Sequence, residues 1–274
     1  ELAQLADLIV DNKEKEHLLT LTKNLSLEGR ELREDEAKQS PMLAATVRTR
    51  SLIKIQDGCH SPCTYCIVPK VRPREYSLPA SQIIDEVKQK MALGYKEVVL
   101  TGTKVGSYRD ANTDLKDLVQ RILHDTGIER LRLSSLQPSE ISPEFLALWQ
   151  DERLCRHFHL ALQSGSQTVL QRMRRSYSLD QYQRTVNLTK EVPEVAITTD
   201  IMVGFPGESD AEFEQSYSFC QQAGFANIHV FPYSPRPETA AAGMPEQIKD
   251  KVKRERNQRM LELAQSSRRR FCEQ

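Results

Sequence analysis

Between Ser51 and Tyr76 the chain gathers three thiols: Cys59, Cys63 and Cys66 form a C-x3-C-x2-C group. Three thiolates on one loop can hold three irons of a cubic [4Fe-4S] cluster and leave the fourth iron open. An open position is what separates a catalytic metal from a closed structural one. The same trio could belong to a zinc knot completed by a fourth Cys or His. His60 sits too near in sequence to close an ordinary finger, no second C-x2-C pair follows, and Cys155, Cys220 and Cys272 stand singly. By spacing alone both readings stay open. None of the six histidines falls in a ligand arrangement along the sequence, and none is assigned to metal.

The elements around the thiols form a repeating series. Leu52, Ile53 and Ile55 read as a strand that Asp57-Gly58 ends, so the cysteines follow it directly. A helix from Ser81 carries Ile83, Ile84, Val87 and Met91 and stops before Gly94. Further apolar runs follow at 97–102, 130–135, 157–163, 195–204 and 227–233, with helices expected near 113–125, 143–150, 167–191 and 209–223. Six strand–helix units in a row predict parallel strands with right-handed crossovers. That is two units short of a closed eightfold barrel, and active groups in such folds sit at the C-terminal strand ends.

Residues 26–50 are polar and read as a linker, preceded by weak helix and strand signals over 1–25. Residues 245–272 read as one long helix starting near Pro245. One side holds Ile248, Val252, Met260, Leu261 and Leu263, and the other Lys249, Lys251, Lys253, Arg254, Arg256 and Arg259. That basic face is either a solvated outer surface or an RNA contact. The 274 residues carry zero formal net charge, so any nucleic acid must be met by local patches. No apolar run reaches membrane-spanning length and no signal peptide opens the chain, so no membrane partner is expected. Six cysteines with three grouped suit a reducing cytoplasm.

With Tyr65 just ahead of Cys66, the loop matches C-x3-C-x-aromatic-C and resembles the radical S-adenosylmethionine (SAM) enzymes. The longer runs Lys54-Ile55-Gln56-Asp57-Gly58-Cys59 and Cys63-Thr64-Tyr65-Cys66-Ile67-Val68-Pro69 are similar to the methylthiotransferase branch. The resemblance implies an α/β fold, an open (β/α)6 partial TIM barrel over residues 51–244, with the basic C-terminal helix (245–274) packed on it. It implies a cluster on Cys59, Cys63 and Cys66 whose free iron chelates SAM, and an electron transfer that yields a 5′-deoxyadenosyl radical. SAM would lie across the strand ends. Tyr65 would lie near the adenine, and the Thr101-Gly102 turn would hold the amino group by its carbonyls. Ser135 and Gln137 follow strand three, Gln137 standing where the branch has a carboxylate. Gln163 and Ser164 would lie near the ribose, and Arg174 or Arg175 would pair with a carboxylate of SAM or substrate. Asp200, Gly204 and Glu208 (the last expected to start the next helix), with Val230 and Phe231, would lie about the adenine. Pro73 and Glu238 depart from the branch's usual Gly.

The run Leu100-Thr101-Gly102-x-x-x-Gly106-x-Tyr108 resembles the enzymes that thiomethylate N6-threonylcarbamoyladenosine beside the tRNA anticodon. The resemblance then implies transfer of a methylthio group to C2 of that base, with tRNA (anticodon loop) and an external electron donor as partners. It implies a second [4Fe-4S] cluster in an N-terminal domain, of which residues 1–25 resemble only the tail, so that cluster is expected in the full-length protein alone. A small RNA-binding β-domain is likewise expected beyond this chain. On this reading the chain cleaves SAM but does not complete methylthiolation. Two rival readings are a methylthiotransferase acting on a ribosomal protein side chain, and a non-catalytic zinc or iron–sulfur RNA-binding module.

Overall fold

A computed structural model describes residues 49–274; the expectations for residues 1–25 and for 26–48 lie outside the described residues. Six parallel strand positions run in chain order. β1 (Arg50–Asp57) is followed by α1 (Val68–Val71), the two-residue β2 (Tyr76–Ser77) and α2 (Ala80–Ala92). β3 (Glu97–Gly102), the hairpin β4 (Arg109–Asp110) and β5 (Thr113–Asp114), and α3 (Leu115–Asp125) come next. The third position is divided into β6 (Arg130–Leu133) and β7 (Ser135–Leu136), then α4 (Pro143–Leu146). β8 (His157–Leu160), α5 (Gln167–Arg172), α6 (Leu179–Thr189), β9 (Ala196–Val203), α7 (Asp210–Ala223), β10 (Asn227–Pro232) and α8 (Asp250–Cys272) complete it.

β1, β3 and β6 pair in parallel, and β7, β8, β9 and β10 do the same. The third strand passes from one ladder to the other at Ser134. Its N–H still donates to the Leu100 carbonyl at 3.0 Å, while Ser135 registers with His159. This hand-over lets the sheet curl into an open half-barrel. β2 caps the outer edge of β1 antiparallel, with Asp57 opposite Tyr76. The expected open α/β partial barrel is the fold observed.

Alternation along each strand explains the layers. On β9, Ile197, Ile201 and Val203 join the large core under the helices, while Thr198 and Asp200 point to the other face. Ile53, Ile55, Val98 and Leu100 meet Ile83, Val87, Leu118 and Ile122 in that core. Each fully buried side chain of this size stabilises by about 1.5–3 kcal/mol.

Several boundaries differ from expectation. α2 begins at Ala80 with Pro79 as N-cap, so Ser81 lies inside the helix. α7 begins at Asp210 after a Ser209–Glu212 capping box, so Glu208 precedes it. The helix expected over 143–150 is α4 followed by a 3-10 turn, Ala147–Gln150. α8 starts at Asp250, not near Pro245. β1 takes in Arg50, the last residue read as linker. No helix among the described residues is long and apolar enough to cross a membrane.

Candidate active site

The loop after β1 starts from a corner built by side chains. Gln56 donates from Nε2 to the carbonyls of Asp57 and Gly58, and its Oε1 accepts from the Lys104 N–H at 2.7 Å. Asp57 accepts from the Gly58 N–H, Thr103 and Arg72 and pairs with Lys54. Burial works to raise the Asp57 carboxyl, but Lys54, the Gly58 N–H and Arg72 outweigh it and hold it well below the usual carboxylate range. Gly58 has φ +80, and a Cβ there would meet the Arg74 carbonyl oxygen at 2.1 Å. Only glycine fits this corner. Beyond Arg72 the chain turns at Pro73, whose carbonyl bonds His60 at 2.8 Å, and returns as β2.

The cysteine segment is then pinned from the opposite side of the barrel. Thr64 is buried; its N–H donates to Met173 O at 3.1 Å, its hydroxyl to Arg172 O at 3.0 Å, and its carbonyl accepts from Ala241. The segments that follow two other strands, β8 and β10, thus fix the residue between Cys63 and Tyr65. Arg175 reaches in from the segment after α5, donating to Cys63 Sγ at 3.4 Å and to Tyr65 Oη at 3.2 Å. It also lies over the Tyr177 ring, 4.9 Å from the centroid. The Ser61 N–H donates to Cys59 Sγ at 3.4 Å. Burial first, and then the neighbouring Cys63 and Cys59, push the Cys66 thiol up, opposed by the Val68 N–H and Arg175. All three cysteines are half-buried and free.

The other residues singled out by sequence have distinct surroundings. Thr101 and Gly102 end β3, with Gly102 tight against Gln56 O. Ser135 is exposed on β7, and Gln137 follows it as the first member of a reciprocal cap with Glu140. Gln163 adopts φ +70, is buried, and leaves its Oε1 without a hydrogen-bond partner. Glu140 Oε1 is likewise buried and unpartnered, and burial pushes that carboxyl up. Ser164 is tied to Ser216 of α7 at 3.0 Å. Arg174 is exposed at φ +53. Gly204 has φ +73 and lies under the Lys253 stem of α8. Glu208 is buried, accepting from the Gly204 N–H at 2.6 Å and from Arg256 at 2.8 Å. Val230 and Phe231 are half-buried, Phe231 packing with Tyr65 on Met173, Met202 and Phe205.

One constellation went unseen along the sequence. His159 Nε2 lies 3.1 Å from Asp200 Oδ2, and His229 Nδ1 lies 3.5 Å from Asp200 Oδ1. The reading that no histidine falls in a ligand arrangement is therefore corrected. Asp200 and His229 are register partners on β9 and β10, and Thr198, two residues before Asp200, is the register partner of His159. The sequence signal was a polar residue among the apolar ones in three successive strand runs, His159, Asp200 and His229.

A parallel six-strand half-barrel with a three-thiol loop after its first strand defines the class. The Radical SAM superfamily matches residues 53–220, and the chain belongs to that superfamily. Its relatives within it are tRNA methylthiotransferases. The chain is 40% identical over 229 residues to threonylcarbamoyladenosine tRNA methylthiotransferase MtaB of Bacillus subtilis (strain 168), covering 81% of this chain and 50% of the relative. It is 36% identical to the MtaB of Aquifex aeolicus (strain VF5), over 100% of this chain and 70% of the relative. It is 42% identical to the tRNA-2-methylthio-N(6)-dimethylallyladenosine synthase of Caldicellulosiruptor saccharolyticus, over 78% of this chain and 47% of the relative. The chain spans about half the length of two of these three. Among solved structures, the radical SAM methyltransferase TsrM of Kitasatospora setae, with tryptophan and a SAM analog bound, superposes with a TM-score of 0.61. It is 19% identical and matches over 70% of this chain and 38% of that one, a likeness of fold.

The thiols suit the superfamily's [4Fe-4S] cluster better than a single ion. A tetrahedral zinc with thiolates at 2.3 Å holds its sulfurs about 3.8 Å apart. Among the described residues, the one set of three metal-ligand atoms lying mutually within 4.8 Å is His159, Asp200 and His229, not the cysteines. The three thiol sulfurs do not all lie within 4.8 Å of one another. The N–H groups of Ser61 and Arg175 donate to two of the sulfurs.

Proposed function

We propose that the chain is the radical core of a tRNA methylthiotransferase that adds a methylthio group at C2 of N6-threonylcarbamoyladenosine next to the anticodon. The observation that carries this reading is the thiol loop clamped by Thr64 and Arg175 at the C-terminal ends of the strands, in a chain whose relatives bear that name. Cys59, Cys63 and Cys66 would hold the cluster, which when bound supplies the electron that cleaves SAM. Arg175 orients Tyr65 and keeps positive charge beside Cys63, and Arg174, exposed beside it, is the candidate for a carboxylate. The buried, unpartnered oxygens of Gln163 and Glu140 offer acceptors to the N–H and O–H groups of SAM. Glu140 supplies the carboxylate that Gln137 does not. Glu208 and Ser164 serve by shaping the backbone, since their side chains are engaged with Arg256 and Ser216. A tRNA modifier of this kind works in the cytoplasm with an external electron donor.

The test is anaerobic reconstitution with iron and sulfide, then reductant and SAM. The expected product is 5′-deoxyadenosine, and its absence from a cluster-loaded chain would reject the enzyme reading. Mass analysis of tRNA nucleosides from cells lacking the gene would show threonylcarbamoyladenosine without its methylthio group. The 42% identity to the dimethylallyladenosine enzyme favours a second reading, in which the isopentenylated base is the substrate. The motif that points to the first branch includes Tyr108, which is buried with its hydroxyl on Leu78 O and so has a structural use. The same digest separates the two bases.

A further inference from the structure

His159, Asp200 and His229 arise from three adjacent parallel strands and face one another across the concave side of the sheet. One ligand atom from each lies within 4.8 Å of the others. The two nitrogen–oxygen separations are 3.1 and 3.5 Å. Ligands at 2.0–2.2 Å from one ion stand about 3.0 Å apart in octahedral and 3.4 Å apart in tetrahedral geometry. Asp200 is paired with no lysine or arginine among the described residues; its ionic partners are the two imidazoles. Arg132 on the neighbouring β6 is itself engaged by Glu97 at 2.6 Å. His159 Nδ1 shares a hydrogen bond with the Thr198 hydroxyl at 3.0 Å, which orients the ring with Nε2 toward Asp200. A metal-bound imidazole ordinarily donates its other ring N–H to an oxygen acceptor, a place the Thr198 hydroxyl takes here.

We propose that His159, Asp200 and His229 form a second metal site, independent of the cysteine loop, that binds one first-row divalent cation such as zinc or ferrous iron. Two imidazoles and one carboxylate suit these ions and leave coordination positions open. Those positions would be reachable from solvent, because the His229 side chain is 57% exposed and that of Asp200 26%. The ion would there carry water or a ligand oxygen.

The test uses the cluster-loaded chain, desalted and dialysed against zinc, with zinc and iron measured per chain. One zinc beyond the cluster iron is expected. Asp200→Asn, His159→Gln and His229→Gln should each abolish it while iron content and thermal melting persist. Thr198→Val should weaken binding roughly 10–100-fold, and His60→Gln should leave it unchanged. Cobalt in place of zinc should give weak visible bands without thiolate charge transfer. No retained zinc in the wild-type chain would show that the three residues form only a hydrogen-bonded set and overturn the proposal. So would zinc that survives the three ligand substitutions, or cobalt bands carrying thiolate character.

Discussion

The thiol loop and the His159–Asp200–His229 set are both clusters of ligating groups in one half-barrel, yet they are built in opposite ways. The cysteines lie on one loop, and a corner at Gln56–Gly58 and a clamp at Thr64 position that loop. The second set is drawn from positions 41 and 29 residues apart, 159 to 200 and 200 to 229, and exists because β8, β9 and β10 pair in one register. A one-residue slip of any of these strands would turn its ligand into the helical layer. Local spacing makes the first site, and sheet register makes the second.

The largest effect should come from the thiols. Changing Cys59, Cys63 or Cys66 to Ala should remove the cluster's visible absorbance, whereas Cys155→Ala and Cys272→Ala should keep it. Loss of the cluster in either of the latter would mean that the loop is not the sole ligand source.

Next comes the support beneath the strand ends on the register-built side. Arg256 donates to Glu208 at 2.8 Å and to Asp210 at 2.7 Å, and both side chains of the Arg256–Glu208 pair are almost fully buried. Arg256→Ala strands the Glu208 carboxylate and should cost about 3–5 kcal/mol in urea unfolding. Arg254→Ala, on the same helix, should leave the midpoint unchanged.

On the loop-built side, Gly58→Ala meets both the positive φ and the Arg74 carbonyl. A loss of roughly 2–4 kcal/mol is expected, with weakened cluster retention. Unaltered stability would show that the corner can open.

The smallest effect links the two regions. Glu212 binds Arg172, whose carbonyl receives the Thr64 hydroxyl. Burial would raise the Glu212 carboxyl, but Arg172, Thr168 and the Ser209 N–H lower it to about 2. A depressed carboxyl contributes stability above its unfolded pKa and loses it as pH falls through the folded one. Between about pH 4.5 and 2 the wild type should therefore lose of order 2–3 kcal/mol more than Glu212→Gln. Parallel pH profiles for the two would remove Glu212 from the linkage.

By itself the sequence determined the six strands, their order and the place of the thiol loop. Each depends on neighbours within a few residues: apolar runs, Asp57-Gly58, the cysteine spacing. Helix starts were less legible, since Ser81 and Glu208 look like openings while Pro79 and Ser209 hold the caps. The basic side of α8 could not be read at all. Arg256 is buried rather than solvated because Glu208 and Asp210, 48 and 46 residues away, meet it. Lys253 likewise packs over Gly204, leaving only part of that face open. Tertiary structure alone decided which polar residues share the concave face, because strand register brings together residues that no local pattern relates.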